Sequence, residues 1–202
     1  MRNSFDLSVY FVADPACCGG RAIEDVVLQA VRAGVTMVQY RDKSGDMGMI
    51  AARAAMLSEL VKPFNVPFIL NDYVDLAIAV SADGVHIGQT DINPLVARRK
   101  LGDEMIIGMT AYTPAHIAAV DPAIIDYVGV GPFYPTKTDK GKPILGSDYF
   151  APLAKASPVP VVGIGGITPE NAGAVLASGA NGLAMMRSIS EASDIASAVH
   201  KF

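Results

Sequence analysis

From end to end the chain alternates short β-rich runs with amphipathic stretches, and this alternation constrains its fold more than any single motif. The runs fall near 7–12, 35–40, 66–70, 84–87, 105–109, 126–130, 159–164 and 182–186. Helical patterns fill the intervals near 22–33, 47–61, 73–80, 93–100, 114–120, 148–155, 169–178 and 191–199. Runs such as VPFIL and VPVVGI show no polar face to turn to water, the pattern of parallel strands buried on both sides. Eight βα units in 202 residues predict an α/β fold, a (β/α)8 TIM barrel of nearly minimal length, as a single compact domain over 1–202. A doubly wound sheet shares the alternation, but eight strands without a long insertion favour closure. AGVTMVQ, ADGVHIG and SGANGLAM repeat a small-residue, glycine, apolar entry into a strand, as half-repeats of a barrel do.

Composition narrows the function classes. Hydrophobic residues make up 51% and charged residues 18%, enough to build a core and too apolar for a disordered chain. A net charge of −4 argues against a dedicated nucleic-acid binder, which carries a basic excess. No apolar run approaches the ~18 residues of a membrane span, and Asp6 and Asp14 interrupt the first apolar stretch, so no secretory leader is expected. Cys17 and Cys18 are adjacent and form no disulfide framework. A reduced, cytoplasmic protein acting on small molecules is expected, with no nucleic acid or membrane partner; a homo-oligomer stays open.

Active sites of barrels lie at the carboxyl ends of the strands, and the unusual residues of this chain gather there. In VQYRDKSGD, alternate residues share a face, so Gln39, Arg41 and Lys43 align while Val38 and Tyr40 point the other way. Two cations on an inward face require an anionic partner. Asn71 and Asp72 follow the third run, Gln89 and Asp91 the fourth, and Thr110 the fifth. The sixth is followed by the loop GPFYPTKTDKGKP.

Asp72 and Asp91, after neighbouring strands, suit Mg2+, which takes one or two carboxylates together with phosphate oxygens; each could equally cap the turn that follows it. With Arg41 and Lys43 alongside, the set reads as a diphosphate clamp. GIGGITPEN offers bare amides at Gly165 and Gly166 and a helix start, with Thr168 as N-cap and Pro169 in the first turn, either as a phosphate cradle or as an ordinary strand-to-helix turn. Thr136 and Thr138 fit a turn, and Lys137, Lys140 and Lys142 a solvated loop. His86 reads as a buried, hydrogen-bonded imidazole. The sequence shows no His/Cys metal cluster, nucleophile elbow or Ser-His-Asp pattern.

Together, QYRDK, LND, ADGVHIGQTD, IIGMT, DYVGVGPFYPTKT and VVGIGGITPENA stand in an order and spacing that resembles the thiamine-phosphate synthase family across about residues 7–190. The resemblance implies a (β/α)8 barrel and a Mg2+-dependent transferase of thiamine biosynthesis. Such an enzyme joins 4-amino-2-methyl-5-(diphosphomethyl)pyrimidine to 4-methyl-5-(2-phosphoethyl)thiazole and releases diphosphate. Carried over by position, it implies that Gln39, Tyr40, Arg41, Asp42, Lys43 and Asn71 hold the pyrimidine diphosphate and that Asp72 and Asp91 bind Mg2+. Thr110 replaces a small hydroxyl residue, often Ser, against the pyrimidine, and Arg41, Lys43 and Thr110 are the expected catalytic residues. Thr136, Thr138, Gly166 and the pair Met186–Arg187 are implied at the thiazole phosphate.

The chain departs from the family pattern at three places. Asp139 stands where the family has Lys, so Lys140 or Lys137 is expected to supply the ammonium. Met186–Arg187 replaces an Ile-Ser pair, where Arg187 adds a cation, and Asp42 replaces Glu. Two other readings remain: a thiazole tautomerase-like isomerase of the same superfamily, and a non-catalytic phosphate-ligand barrel.

Overall fold

The computed structural model describes residues 5–138 and 141–202. Its strands are β1 (Val9–Ala13), β2 (Met37–Tyr40), β3 (Phe68–Asn71), β4 (Gly84–Ile87), β5 (Ile106–Ala111), β6 (Tyr127–Val130), β7 (Val161–Ile164) and β8 (Gly182–Met185). All pair in parallel, each with the next, and β1 pairs with β8 to close the barrel. The doubly wound alternative is thereby excluded. The helices are α1 (Ile23–Ala33), α2 (Met47–Val61), α3 (Val74–Ala79), α4 (Pro94–Leu101), α5 (Pro114–Ala118), α6 (Gly146–Ala156), α7 (Ala172–Ala177), α8 (Arg187–Ser190) and α9 (Ile195–Val199). No helix among the described residues is long and apolar enough to cross a membrane.

Strand alternation divides the core into two layers. Outward residues such as Phe11, Val38, Tyr40, Leu70, Val85 and Val128 pack against the helices. Inward residues form a separate plug that includes Tyr10, Val12, Met37, Ile69, Ile106, Tyr127 and Val162. Gly108 makes room in that plug: a Cβ there would lie 2.1 Å from Cζ of Tyr127. The plug supports the site from below.

Two sequence-derived boundaries need correction. The helix expected over 169–178 begins only at Ala172, and Thr168 does not cap it. Asn171 ties back the preceding loop instead: its Oδ1 accepts from Thr168 N at 2.8 Å and its Nδ2 donates to Gly166 O at 3.0 Å. Of the helix expected over 191–199 only the latter part forms, as α9, which Asp194 caps by accepting from Ser197 N at 2.9 Å. A separate short helix, α8, stands directly after β8 and ahead of the expected start.

Candidate active site

A cavity of about 370 Å3 opens at the carboxyl ends of the strands, within the size range of small-molecule sites. On β2 and just beyond it, Gln39, Arg41 and Lys43 all line the cavity, as strand parity requires. The anionic partners those cations need belong to the chain itself. Arg41 Nη1 pairs with Asp14 Oδ2, and Lys43 Nζ pairs with Asp72 Oδ2. Asp14, which follows β1, is 4% exposed, and its Oδ1 accepts from Ala16 N at 2.9 Å.

Asp72 sits at the end of β3 with φ of +69°, in the left-handed region, and its N–H donates to His86 O at 2.9 Å. Asp91 is held by accepting from Gly88 N through Oδ2 at 2.7 Å. Burial pushes the Asp72 carboxyl above its usual range, and the adjoining Asp91 carboxylate pushes the same way, against the pull of Lys43. Two carboxylates crowded together in this manner lose their mutual repulsion when a hard dication joins them. Oxygen donors and a pair of acids are what Mg2+ takes from a protein. Among the described residues no group of three or more His, Cys, Asp and Glu converges, so this donor set does not suit a closed zinc site.

On the far wall, Thr136, Thr138 and Lys142 come from the loop between β6 and α6, and Met186 from the end of β8. Thr138 N donates to Thr136 Oγ1 at 3.3 Å, and Lys142 Nζ lies 5.3 Å from the centre of the Tyr112 ring. Gly165 also lines the cavity at φ of +101°, where a Cβ would meet Pro132 Cα at 2.6 Å. The glycine turn after β7 therefore meets the cavity with the backbone of Gly165, well ahead of the start of α7.

The floor is polar. Gln39 Nε2 donates to Tyr10 OH at 2.6 Å, and Tyr10 OH and Tyr127 OH share a hydrogen bond of 2.7 Å. His86 Nδ1 lies 3.1 Å from Tyr127 OH, and its Nε2 lies 3.0 Å from Thr110 Oγ1. Burial, aided by the Lys142 charge, lowers the His86 pKa to about 4. Since the unfolded chain takes up this proton near pH 6.5, ahead of the folded one, stability contributed by the neutral ring is lost as pH falls from 6.5 towards 4. The loss amounts to roughly 3 kcal/mol at 1.36 kcal/mol per pH unit. A His86→Gln chain should lose that part of the acid slope, read from urea midpoints at pH 7 and pH 4.5. Equal slopes in the two chains would contradict the assignment.

Several residues expected at the substrate lie elsewhere. Tyr40 and Asp42 occupy the alternate strand positions and face outward, where Tyr40 OH donates to Asp42 Oδ2 at 2.9 Å and Arg53 pairs with the same oxygen. Lys137 is exposed and outside the cavity lining. Gly166 packs behind Tyr134 and Pro135. Arg187 pairs with Glu191 along α8, leaving its buried Nε without a hydrogen-bond partner. Lys140, like Asp139, lies outside the described residues. In the other direction, the structure adds Asp14, Tyr10, Tyr127 and Lys142, of which only Lys142 lay in a segment flagged by its composition.

Comparison with known proteins bears on this arrangement. A sequence model of the family described as thiamine monophosphate synthase matches residues 9–189. A thiamine-phosphate synthase of Azorhizobium caulinodans is 41% identical over 200 residues, covering 98% of this chain and 94% of the relative. One from Laribacter hongkongensis is 41% identical over 196 residues, covering 96% and 92%. The solved structure of a thiamine phosphate pyrophosphorylase from Pyrococcus furiosus superposes with a TM-score of 0.86 at 28% identity, covering 96% and 93%.

Proposed function

Because the chain belongs to the thiamine monophosphate synthase family, with the activity of a thiamine-phosphate synthase, we propose that its cavity joins a (diphosphomethyl)pyrimidine to a phosphoethyl thiazole and releases diphosphate. The observation that carries this reading is the meeting of Asp72 and Asp91 in one cavity with Arg41 and Lys43. Bound between the two carboxylates, Mg2+ would offset their charge and that of the diphosphate.

The residues of the chain do the rest by position. Arg41 and Lys43 present charge-assisted donors to the diphosphate, where negative charge grows as the carbon–oxygen bond breaks. Asp14 and Asp72 hold these cations in place beforehand, so little reorganisation is left for the reaction. The aminopyrimidine spreads the positive charge left on its methylene carbon. The thiazole nitrogen attacks with its own lone pair and loses no proton, so the site needs no strong base. Thr136 and Thr138, with the Gly165 amide, face the space left for the thiazole phosphate. Lys142 reaches the cavity and supplies the ammonium that Asp139 cannot. The free, buried thiols of Cys17 and Cys18 accord with a reducing cytoplasm.

An isomerase acting on the thiazole alone would have no use for the diphosphate clamp, and retention of that clamp favours the transferase. Incubation with both substrates should release diphosphate in step with their coupling and only when Mg2+ is present. Conversion of the thiazole phosphate by itself, with no diphosphate released, would overturn the reading.

A further inference from the structure

Five side chains from five strands form one unbroken hydrogen-bonded row under the cavity: Gln39, Tyr10, Tyr127, His86 and Thr110. Gln39, Tyr10 and Tyr127 are at most 4% exposed, so each hydroxyl proton needs a partner inside the row. Counting donors leaves one consistent direction. Tyr10 accepts from Gln39 Nε2, and its single proton then has only Tyr127 to go to. Tyr127 passes its own proton to His86 Nδ1. That nitrogen must be the unprotonated one, which places the ring proton on Nε2, where it is donated to Thr110 Oγ1. A doubly protonated ring would turn both phenols round and strand the Tyr10 proton with no acceptor.

Every member but Tyr127 lines the cavity; Tyr10 and His86 have their polar hydrogens engaged within the row, so its direction fixes what the ends, Gln39 and Thr110, offer a ligand. With one Nε2 hydrogen given to Tyr10, Gln39 keeps its carbonyl oxygen and a second N–H. Thr110, accepting from His86 with one lone pair, still needs an acceptor for its hydroxyl proton. A ligand therefore meets a carbonyl to be satisfied at one end and a hydroxyl proton to be accepted at the other.

We infer that Tyr10, Tyr127 and His86 are positioning residues that lock this acceptor–donor pair and thereby select an aminopyrimidine over its oxo counterpart. This rests on the pyrimidine reading of the site given above. An aminopyrimidine presents an amine N–H and unprotonated ring nitrogens, which match the pair. The oxo form presents a carbonyl and a ring N–H, which set a carbonyl against the Gln39 carbonyl and leave the Thr110 proton without an acceptor. A site built from buried hydrogen-bonding groups rejects a mismatched ligand strongly, because its own groups are left unpaired.

Removing the central hydroxyl separates the row into halves that can each reverse independently. Calorimetric titration with 4-amino-5-hydroxymethyl-2-methylpyrimidine and its 4-oxo analogue tests this on the intact protein. The parent chain should prefer the amine by on the order of 10²-fold, and Tyr127→Phe should bring that ratio close to one. A purely structural Tyr127 would weaken both ligands alike and keep their ratio. That result overturns the inference, as would a parent chain that shows no preference or binds neither ligand. Tyr10→Phe, which cuts the next link, should also collapse the ratio and serves if Tyr127→Phe fails to fold. Nitrogen NMR of the labelled His86 ring adds a readout independent of ligand: a proton on Nε2 is expected, and one on Nδ1 refutes the direction. The amine preference without diphosphate release would count against the transferase reading alone, whereas release without the preference would count against this inference alone.

Discussion

Replacing Asp72 by asparagine is expected to leave the fold standing while removing nearly all turnover. The substitution suits the backbone, because asparagine is among the few residues that tolerate the left-handed region in which Asp72 sits at φ of +69°. The N–H of residue 72 can still donate to His86 O. What disappears is one of two crowded carboxylates and the anionic partner of Lys43. Loss of a single charge-stabilising group in a preorganised site costs on the order of 10²–10³ in rate, and the Mg2+ concentration needed for half-maximal diphosphate release should rise as well. The folded state holds the Asp72 carboxyl above its usual pKa, so its charge opposes folding at neutral pH. The neutral amide removes that cost, and the thermal midpoint should stay level or rise, as happens when an active-site residue trades stability for activity. Asp91→Ala is a less clean test, since Asp91 also accepts from Gly88 N. An Asp72→Asn enzyme that keeps the parent rate and the parent Mg2+ dependence would remove the metal assignment.

The barrel was legible because it depends on short-range pattern. Eight apolar runs with eight helical intervals need only local parity and periodicity, and parity also sent Gln39, Arg41 and Lys43 inward. The same parity explains where the motif misled. QYRDK is contiguous in sequence, but a strand places neighbours on opposite faces, so Tyr40 and Asp42 pack under α2 beside Arg53 rather than at a ligand. Asp14 was hidden for a different reason. Its partner Arg41 lies 27 positions away, and only the pairing of β1 with β2 brings the two strand ends together. Tyr10 and Tyr127 are 117 positions apart and meet across the barrel interior, where no sequence window sees both. The late start of α7 turns on Asn171 folding back onto the loop, a contest between side chain and backbone that the Thr-Pro signal at 168–169 cannot reveal.

Arg98→Ala should reverse the pattern expected of Asp72→Asn, losing stability and keeping activity. In sequence, Arg98 belongs to a basic cluster at the end of α4, where cations suit the helix dipole, but in the structure its side chain is 8% exposed and turned inward. Its guanidinium donates to Ile124 O, Gly102 O, Met105 O and Asp126 Oδ2, at distances between 2.6 and 3.2 Å. The same Asp126 oxygen accepts from Ile107 N at 2.7 Å. These partners lie just before or at the starts of β5 and β6, the end of the barrel opposite the cavity. Truncation would take the counter-ion from a buried carboxylate and leave three carbonyls without this donor, a loss of about 3–5 kcal/mol. Lysine should recover little, because one ammonium cannot reproduce a planar fork that reaches four acceptors. Urea unfolding of Arg98→Ala and Arg98→Lys checks the stability, and the rate per folded molecule should match the parent. An undiminished unfolding free energy with a reduced rate would contradict the division of the barrel into a stabilising amino end and a reacting carboxyl end. That division is what allows Arg41, Lys43, Asp72 and Asp91 to be crowded for chemistry while the fold is secured elsewhere.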